Sequence, residues 1–468
     1  MFMLTNKKML TNKKNRFFFG IFLVFVLVMV IYAVFTFVVG IHDAGEYITL
    51  AKEMAGIGNV EVFSTHSVVY SAFLALFLKV FPSMIMIKLV NTAFLVLIGL
   101  FLYKVMNEKK AFLVWMFSPL VWFVSIEVSP IFLVSFFVLL GYYLFDKWEK
   151  NGEHKNIFLI LSGLCWGMTF SLWFPSVFLI FVFGIFFFWG KKFNEFILFL
   201  IGMAPSVLVR FIADYAAFGF PFHSLVKYVG ATIVIHSGLG YNHLVPITLG
   251  LLLRILFFVA PLTILAFPID YKRHKREIWL LVICAVFFFF RGGQPDAIKV
   301  FITFAPLWVI VVGRTLTWKK VFLNSLVGLV IVVFLTSVYF TDTHETDLQR
   351  DISQFREDFS FNEVLTGKDQ ALNFASASWT TEPRFLWWKE YELWKSGGEY
   401  YSSYSYTIDP NIDLHQILYM QVGLRRKNDR GFDGVPLVSM EKDKEYEGFY
   451  LVKEYPAFNV YLPEKNLQ

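Results

Sequence analysis

From residue 17 to about residue 340, long apolar stretches alternate with short basic ones. The first stretch, Phe17 to Gly40, follows a lysine-rich leader that ends at Arg16. It exceeds the ~7–15 apolar residues of a secretory signal and approaches the ~20 residues that cross a bilayer as a helix. It therefore predicts a retained span. Further runs predict spans at approximately 84–105, 111–126, 129–146, 157–173, 174–190, 196–216, 245–268, 278–290, 297–313 and 321–340. Residues 41–81 follow another pattern. From Asp43 to Met54 polar and apolar residues take turns, ending at Gly56 and Gly58. Residues 66–81 are apolar but short, open with His66 and carry Lys79. Two amphipathic helices lying flat in the interface fit this pattern. A short crossing by 66–81 is the alternative.

Charge placement chooses between them. With 66–81 flat, the loops on the leader's side hold Lys104, Lys109, Lys110, Lys147, Lys150, Lys155, Lys191, Lys192, Lys272, Arg273, Lys275, Arg276, Arg314, Lys319 and Lys320. Cytoplasmic loops collect Lys and Arg, so the N-terminus is expected in the cytoplasm of a multi-pass cell-membrane protein. A crossing by 66–81 would reverse every later loop. The reading is a polytopic α-helical membrane protein of about eleven spans. Two interfacial helices lie in its first outer loop, and a small α+β extracytoplasmic domain follows. Residues 1–340 form the transmembrane domain and 341–468 the soluble one. In the tail, Asp347–Phe359 and Asp413–Leu424 predict helices, and Gly448–Val452 and Phe458–Leu462 predict strands.

Composition agrees. Hydrophobic residues make up 57% and charged residues 17% of the 468, against about 45–50% and 25% in ordinary soluble domains. The net charge of +6 conceals an asymmetry: residues 1–340 hold 28 Lys+Arg against 14 Asp+Glu, and residues 341–468 hold 14 against 22. No basic face interleaved with stacking aromatics occurs, which excludes nucleic acid as a partner. Cys165 and Cys284 both lie in apolar runs and offer no disulfide framework.

The candidate chemistry gathers on the predicted outer side. Asp43, Glu46 and Tyr47 share a helix face directly after the first span. A carboxylate there can act as a general base or bind a metal; it can equally cap an interfacial helix, where the dipole favours acids. His66 opens the second flat helix, with Tyr70 one turn on; a headgroup contact is its alternative role. Glu127 falls at the outer end of the 111–126 span, where an isolated acid needs water or a partner, or serves as a cap. The divalent-ion candidates are Asp43, His66 and Glu127. His42, His66, His223, His236 and His243 also map outside, without the tight spacing of a zinc site.

The run Asp43-Ala44-Gly45-Glu46-Tyr47, followed by Ala51, Met54 and the stretch His66 to Phe77, resembles the first loop of the GT-C superfamily of membrane glycosyltransferases. It is nearest to the protein O-mannosyltransferase and aminoarabinose-transferase branch. Glu127-Val128-Ser129-Pro130 resembles that family's second acidic position, before a span ending in Tyr142 and Tyr143. Ala217-Phe218-Gly219-Phe220-Pro221-Phe222 resembles its Phe-Gly-x-Pro loop. The resemblance covers residues 17 to about 340. In this chain the acidic pair is split and the Lys-Pro-Pro element before the second flat helix is replaced by Ser64-Thr65-His66.

The resemblance implies transfer of a sugar from a polyprenyl-phosphate carrier to a lipid, glycan or protein acceptor on the outer face, with inversion. Asp43 would deprotonate the acceptor and Glu127 would support it or a metal. Glu46, Tyr47, His66 and Tyr70 would line the substrate site. A leaving phosphate needs a cation, and Arg210, Arg254, Arg291 and Lys299 are the outer-side candidates. Arg291 could instead snorkel to headgroups, and Arg254 could pair with Asp214. A transporter or lipid flippase with an extracytoplasmic domain is the rival reading; the absence of a clear repeat between halves favours the enzyme.

Overall fold

The computed structural model describes residues 13–35, 43–57, 66–125, 128–151, 156–177, 184–185, 193–226, 228–229, 249–266, 272, 274–275, 277–279, 282, 294–341, 343–361, 363–367, 384–396, 400–401, 424–425, 432 and 434–464. Helix α1 (Lys13–Phe35) is followed by α2 (Asp43–Ala55) and α3 (Val68–Val80). Next come α4 (Met84–Leu100), prolonged by a π-helical turn over Phe101–Val105, then α5 (Lys109–Met116), α6 (Pro119–Ser125), α7 (Ile131–Asn151) and α8 (Asn156–Leu172). The remaining long helices are α9 (Phe193–Phe218), α10 (Leu249–Val259), α11 (Gln294–Thr315) and α12 (Trp318–Thr341).

Among the described residues, five helices are long and apolar enough to cross a membrane: Phe17–Phe35, Met84–Val105, Ile131–Lys150, Phe193–Phe218 and Trp318–Ser337. All five coincide with expected spans. The expected spans 157–173 and 297–313 fall on shorter apolar helices, Asn156–Leu172 and Phe301–Thr315. Two expectations need correction. The run 111–126 is not one helix, because α5 stops at Met116 and α6 begins at Pro119. Proline disfavours the helical region at the residue before it and cannot donate backward, so Ser118-Pro119 ends one helix and starts the next. The run 245–268 is likewise cut at Ala260-Pro261, after which only a 3₁₀ turn over Thr263–Ala266 follows. Most of 174–190 and 278–290 lies outside the described residues.

The two helices expected in the first loop are present as α2 and α3, packed on each other. Ser67 caps α3: its hydroxyl accepts the Val69 N–H at 3.3 Å, which stabilises a helix start by about 1 kcal/mol.

Helices α8 and α9 pack backbone to backbone. A Cβ at Gly163 would lie 2.1 Å from the Phe199 carbonyl oxygen, and one at Gly202 would lie 2.1 Å from that of Ile160. Both positions must be glycine for the backbones to meet. Hydroxyls then staple α8 to α9, Ser206 donating to Leu164 O at 2.9 Å and Ser171 to Ser206 O at 2.5 Å, while Ser162 ties α8 to α7 by donating to Gly141 O at 2.8 Å.

Beyond α12, helix α13 (Thr343–Asp358) leads into a five-stranded sheet. Its strands are β1 (Glu363–Thr366), β2 (Arg384–Trp387), β5 (Leu437–Ser439), β6 (Phe449–Glu454) and β7 (Asn459–Pro463), ordered β2-β1-β5-β7-β6. Strand β1 runs parallel to β2 and β5, and β7 antiparallel to β5 and β6. Alternation along the strands builds two cores. Val364, Val438 and Val460 meet Leu348, Ile352 and Phe355 of α13. Leu365, Leu437 and Tyr461 face an aromatic layer with Trp388 and Tyr391 of α14 (Trp388–Lys395). The two expected strands and the first expected helix of the tail are present. The helix expected at Asp413–Leu424 lies outside the described residues except for Leu424. That residue is in the two-residue strand β4 (Leu424–Arg425), which pairs with β3 (Tyr400–Tyr401).

Asp358, at the end of α13, accepts hydrogen bonds from Lys453 Nζ at 2.5 Å and Tyr455 Oη at 2.6 Å. The Lys453 bond, then the Tyr455 bond, hold its carboxyl below the usual carboxylate range. A depressed carboxylate adds stability above its unfolded value, about 3.9, and loses it as pH falls through the folded value. Thermal unfolding of the full chain between pH 2 and 6 should therefore weaken on the acid side, and Lys453→Met should flatten that limb. An unchanged acid limb in Lys453→Met would refute the assignment. In the bundle, Gly202→Val should lower the thermal midpoint in detergent, since overpacking costs ~1–3 kcal/mol of stability or more. Gly20→Ala, where a Cβ meets nothing within 4 Å, should leave it unchanged.

Candidate functional site

The first-loop helices meet the C-terminal half of α9. Leu50 of α2 and Val68 of α3 are buried together against Met54, Ala213 and Phe218. One turn before Leu50, the Tyr47 ring sits between two others: His66 at 5.1 Å and Tyr70 at 5.0 Å, the latter edge-on. Tyr47 and Tyr70 are buried and His66 is half-buried. Tyr70 is fixed from behind, its hydroxyl donating to Asn91 Oδ1 of α4 at 2.8 Å. Ser67, between His66 and α3, donates its hydroxyl to the Ser171 carbonyl at the end of α8.

Next to this end of α8 lies a buried charge cluster. Arg210 is 1% exposed and Asp214, one turn on in α9, is 0% exposed. Arg210 Nη1 donates to the Phe170 carbonyl at 3.1 Å and Nη2 to Ser224 Oγ at 2.8 Å. Ser224 in turn donates to Asp214 Oδ2 through its hydroxyl at 2.6 Å and its N–H at 2.9 Å. The guanidinium stands over the rings of Phe170 and Phe174 at 5.5 and 5.6 Å. Tyr47 lies close enough to interact with its charge. Ser224 reaches Asp214 because α9 ends at Gly219, whose φ of +70° turns the chain back. Glycine takes that conformation without a steric penalty. His223 then stacks on Phe218 at 3.9 Å between centroids.

Of the residues singled out by sequence, Tyr47, His66, Tyr70 and Arg210 come together. Arg210 is not at an exposed rim: two backbone and side-chain acceptors already engage it. Arg254 is exposed on α10, which corrects the pairing with Asp214; the carboxylate is met by Ser224, and through it by Arg210. Asp43 and Glu46 stand in the first turn of α2, and Lys299 near the start of α11; their side chains lie outside the described residues, as do Glu127 and Arg291. Among the described residues no group of three His, Cys, Asp or Glu could hold a metal ion. His66 is the one member of the candidate metal set whose side chain is described, and a single imidazole does not define a metal site.

Sequence reasoning passed over Ser67, Asn91, Ser171 and Ser224. The Arg210/Asp214 spacing in an apolar span was a visible signal. Ser224 had none, since its partner lies across a turn.

A separate groove of about 920 Å³ runs between α1, the α5–α6 break and α12, lined by Val24, Phe25, Val28, Phe117, Val332 and Val333 among others. Its walls are almost wholly apolar, which suits a hydrocarbon chain.

Replacing Asp214 by Asn should leave Arg210 buried without its counter-charge, at a cost of about 3–5 kcal/mol. The double variant Arg210→Met/Asp214→Leu should cost less than the sum of the two single changes. Additive losses in a thermal-unfolding double-mutant cycle would show the two charges to be uncoupled.

No family model matches the sequence, and no curated protein matches it. Solved structures do. The crystal structure of ArnT from Cupriavidus metallidurans bound to undecaprenyl phosphate aligns with a TM-score of 0.55 at 10% identity, covering 95% of this chain and 97% of that one. The apo state of the same protein aligns at 0.49 with 10% identity, covering 95% and 98%. The chain thus has the fold of ArnT, an aminoarabinose transferase, and the expected likeness to that branch of membrane glycosyltransferases is borne out in architecture.

Proposed function

We propose that the protein is a membrane glycosyltransferase that moves a sugar from a polyprenyl-phosphate carrier to an acceptor at the outer face. The observation that carries this reading is the fold shared over 95% of the chain with a protein solved with undecaprenyl phosphate bound. The Tyr47, His66 and Tyr70 cluster in the first loop and the apolar groove support it.

In the proposed reaction Asp43 takes the proton of the acceptor hydroxyl. The acceptor oxygen bonds to the anomeric carbon from the face opposite the phosphate, and the sugar–phosphate C–O bond breaks with inversion. The polyprenyl phosphate leaves with the electron pair. Arg291 and Lys299 stabilise the phosphate charge as it develops, the term on which such sites depend most. Glu127 steadies Asp43 or a divalent ion. Tyr47, His66 and Tyr70 form a wall that orients the sugar. The N-terminus is cytoplasmic and residues 341–468 lie outside.

Purified full-length protein, given each donor separately with a membrane extract as acceptor, should transfer labelled sugar from a polyprenyl phosphate and not from a nucleotide sugar. Asp43→Asn should lower turnover by about 10²–10⁴-fold, the usual cost of losing a general base, without loss of protein level. Arg291→Ala should weaken use of the donor more than folding. Transfer directly from a nucleotide sugar would overturn the reading. So would saturable solute or lipid movement in vesicles with no transfer from either donor, the outcome expected of a transporter.

A further inference from the structure

We infer that Ser224, outside the first loop altogether, is a positioning residue for the first-loop wall; this rests on the transferase reading above. Ser224 is fully buried and sits at the centre of a directed chain of hydrogen bonds. A hydroxyl has one proton to give. Here it goes to Asp214 Oδ2 at 2.6 Å, while the oxygen accepts from Arg210 Nη2 at 2.8 Å. The two charges of α9 are joined through this one oxygen atom.

The chain continues in both directions. Beyond Asp214, the Ser224 N–H bond at 2.9 Å pins the segment that returns after Gly219. Beyond Arg210, the Nη1 bond to the Phe170 carbonyl at 3.1 Å fixes the last turn of α8. The next residue, Ser171, is tied on both sides. Its hydroxyl donates to Ser206 O at 2.5 Å, and its carbonyl accepts from Ser67. Ser67 caps α3 and directly follows His66, whose ring meets that of Tyr47 at a tilt, with centroids 5.1 Å apart. A continuous path of hydrogen bonds and two chain links, Phe170–Ser171 and His66–Ser67, therefore runs from Asp214 through Ser224, Arg210, Phe170, Ser171 and Ser67 to the His66–Tyr47 ring pair. No member from Asp214 to Ser67 needs to touch a substrate. The path sets where the wall stands, and a misplacement of about 1 Å can cost on the order of 10²-fold in rate.

The test compares Ser224→Ala, Ser224→Thr and Ser162→Ala. Ser162 loses an equivalent buried bond, to Gly141 O at 2.8 Å, on the same helix α8 but remote from the wall. Ser224→Ala removes a single oxygen atom and is expected to fold, with thermal unfolding measured for each variant. With a polyprenyl-phosphate sugar as donor, Ser224→Ala should lower kcat about 10–100-fold and leave the donor KM within about twofold, because the wall is displaced while the phosphate contacts stay. Ser224→Thr should restore most of kcat, and Ser162→Ala should keep it. Independently of activity, modification of His66 by diethyl pyrocarbonate, read by peptide mass spectrometry, should run several-fold faster in Ser224→Ala than in the unmodified sequence. Unchanged kcat with an unchanged His66 rate in Ser224→Ala would overturn the inference, as would an equal kcat loss in Ser162→Ala. If the unmodified protein transfers no sugar from any polyprenyl phosphate, the transferase reading falls. The His66 rates then still decide whether Ser224 positions the first loop.

Discussion

A guanidinium and a carboxylate buried one turn apart in an otherwise apolar helix impose the constraint on which this end of the molecule depends. Taking either charge out of water costs several kcal/mol unless it is paired and hydrogen-bonded. Arg210 and Asp214 meet that requirement in part with few partners, the Phe170 carbonyl, two aromatic rings and Ser224, while Arg210 Nε and Asp214 Oδ1 make no hydrogen bond among the described residues. Ser224 can serve only if the chain after α9 doubles back, and Gly219 at φ +70° lets it do so. The course of the Phe218–Ser224 segment is thus a consequence of satisfying two charges. The stacking of His223 on Phe218 comes with it.

The same pairing requires that α8 lie close to α9. With larger residues at Gly163 and Gly202 the helices would stand apart, since a Cβ at either would fall 2.1 Å from a facing carbonyl oxygen. Close approach gives α8 two tasks at one end. The Phe170 carbonyl faces Arg210, and the Ser171 carbonyl faces Ser67 across from it. Packing in the bundle is in this way converted into the position of the first loop. The interface that sets helix spacing also sets where His66, Tyr47 and Tyr70 stand.

Architecture was more legible in the sequence than the site was. Long apolar runs are a strong signal because a bilayer demands them, and five of them reappear as spanning-length helices. The reading failed where a run is apolar throughout but interrupted by proline. Hydropathy does not register Ser118-Pro119 or Ala260-Pro261, although backbone geometry does. The tail yielded β6 and β7, whose aromatic and β-branched runs stand between Gly and Pro residues, and missed β1, β2 and β5. Those strands are short, and β1 and β5 are buried on both faces, so their patterns do not alternate. In the site, His66 and Tyr70 were legible as a pair one helical turn apart, and the packing of α2 on α3 brings Tyr47 to them. Ser224 was not, because its role arises from a fold-back that no local pattern encodes. The pairing of Arg254 with Asp214 failed for a related reason. Both sit in apolar stretches, but α10 turns Arg254 outward.

The other end of the bundle is tied by a second set of charges. Arg314 meets Glu108 at 2.8 Å and Glu277 at 3.1 Å, and Tyr142 donates to Glu277 at 2.7 Å. Lys110 reaches the Leu316 carbonyl at 2.6 Å. Charges that cannot be satisfied by lipid must be satisfied by protein, and each such contact joins helices that apolar packing alone would leave free to slide. Between the two ties apolar and aromatic side chains dominate, and close glycine contacts and single hydroxyl bonds fix their register. Charge therefore defines the two ends of the bundle, and backbone approach defines its middle. Under the proposed transferase reading, a long hydrocarbon would lie along the flank of the bundle while a few polar groups are fixed at one end. The apolar groove along α1 and the hydrogen-bonded path behind His66 have the chemistry those two parts would call for.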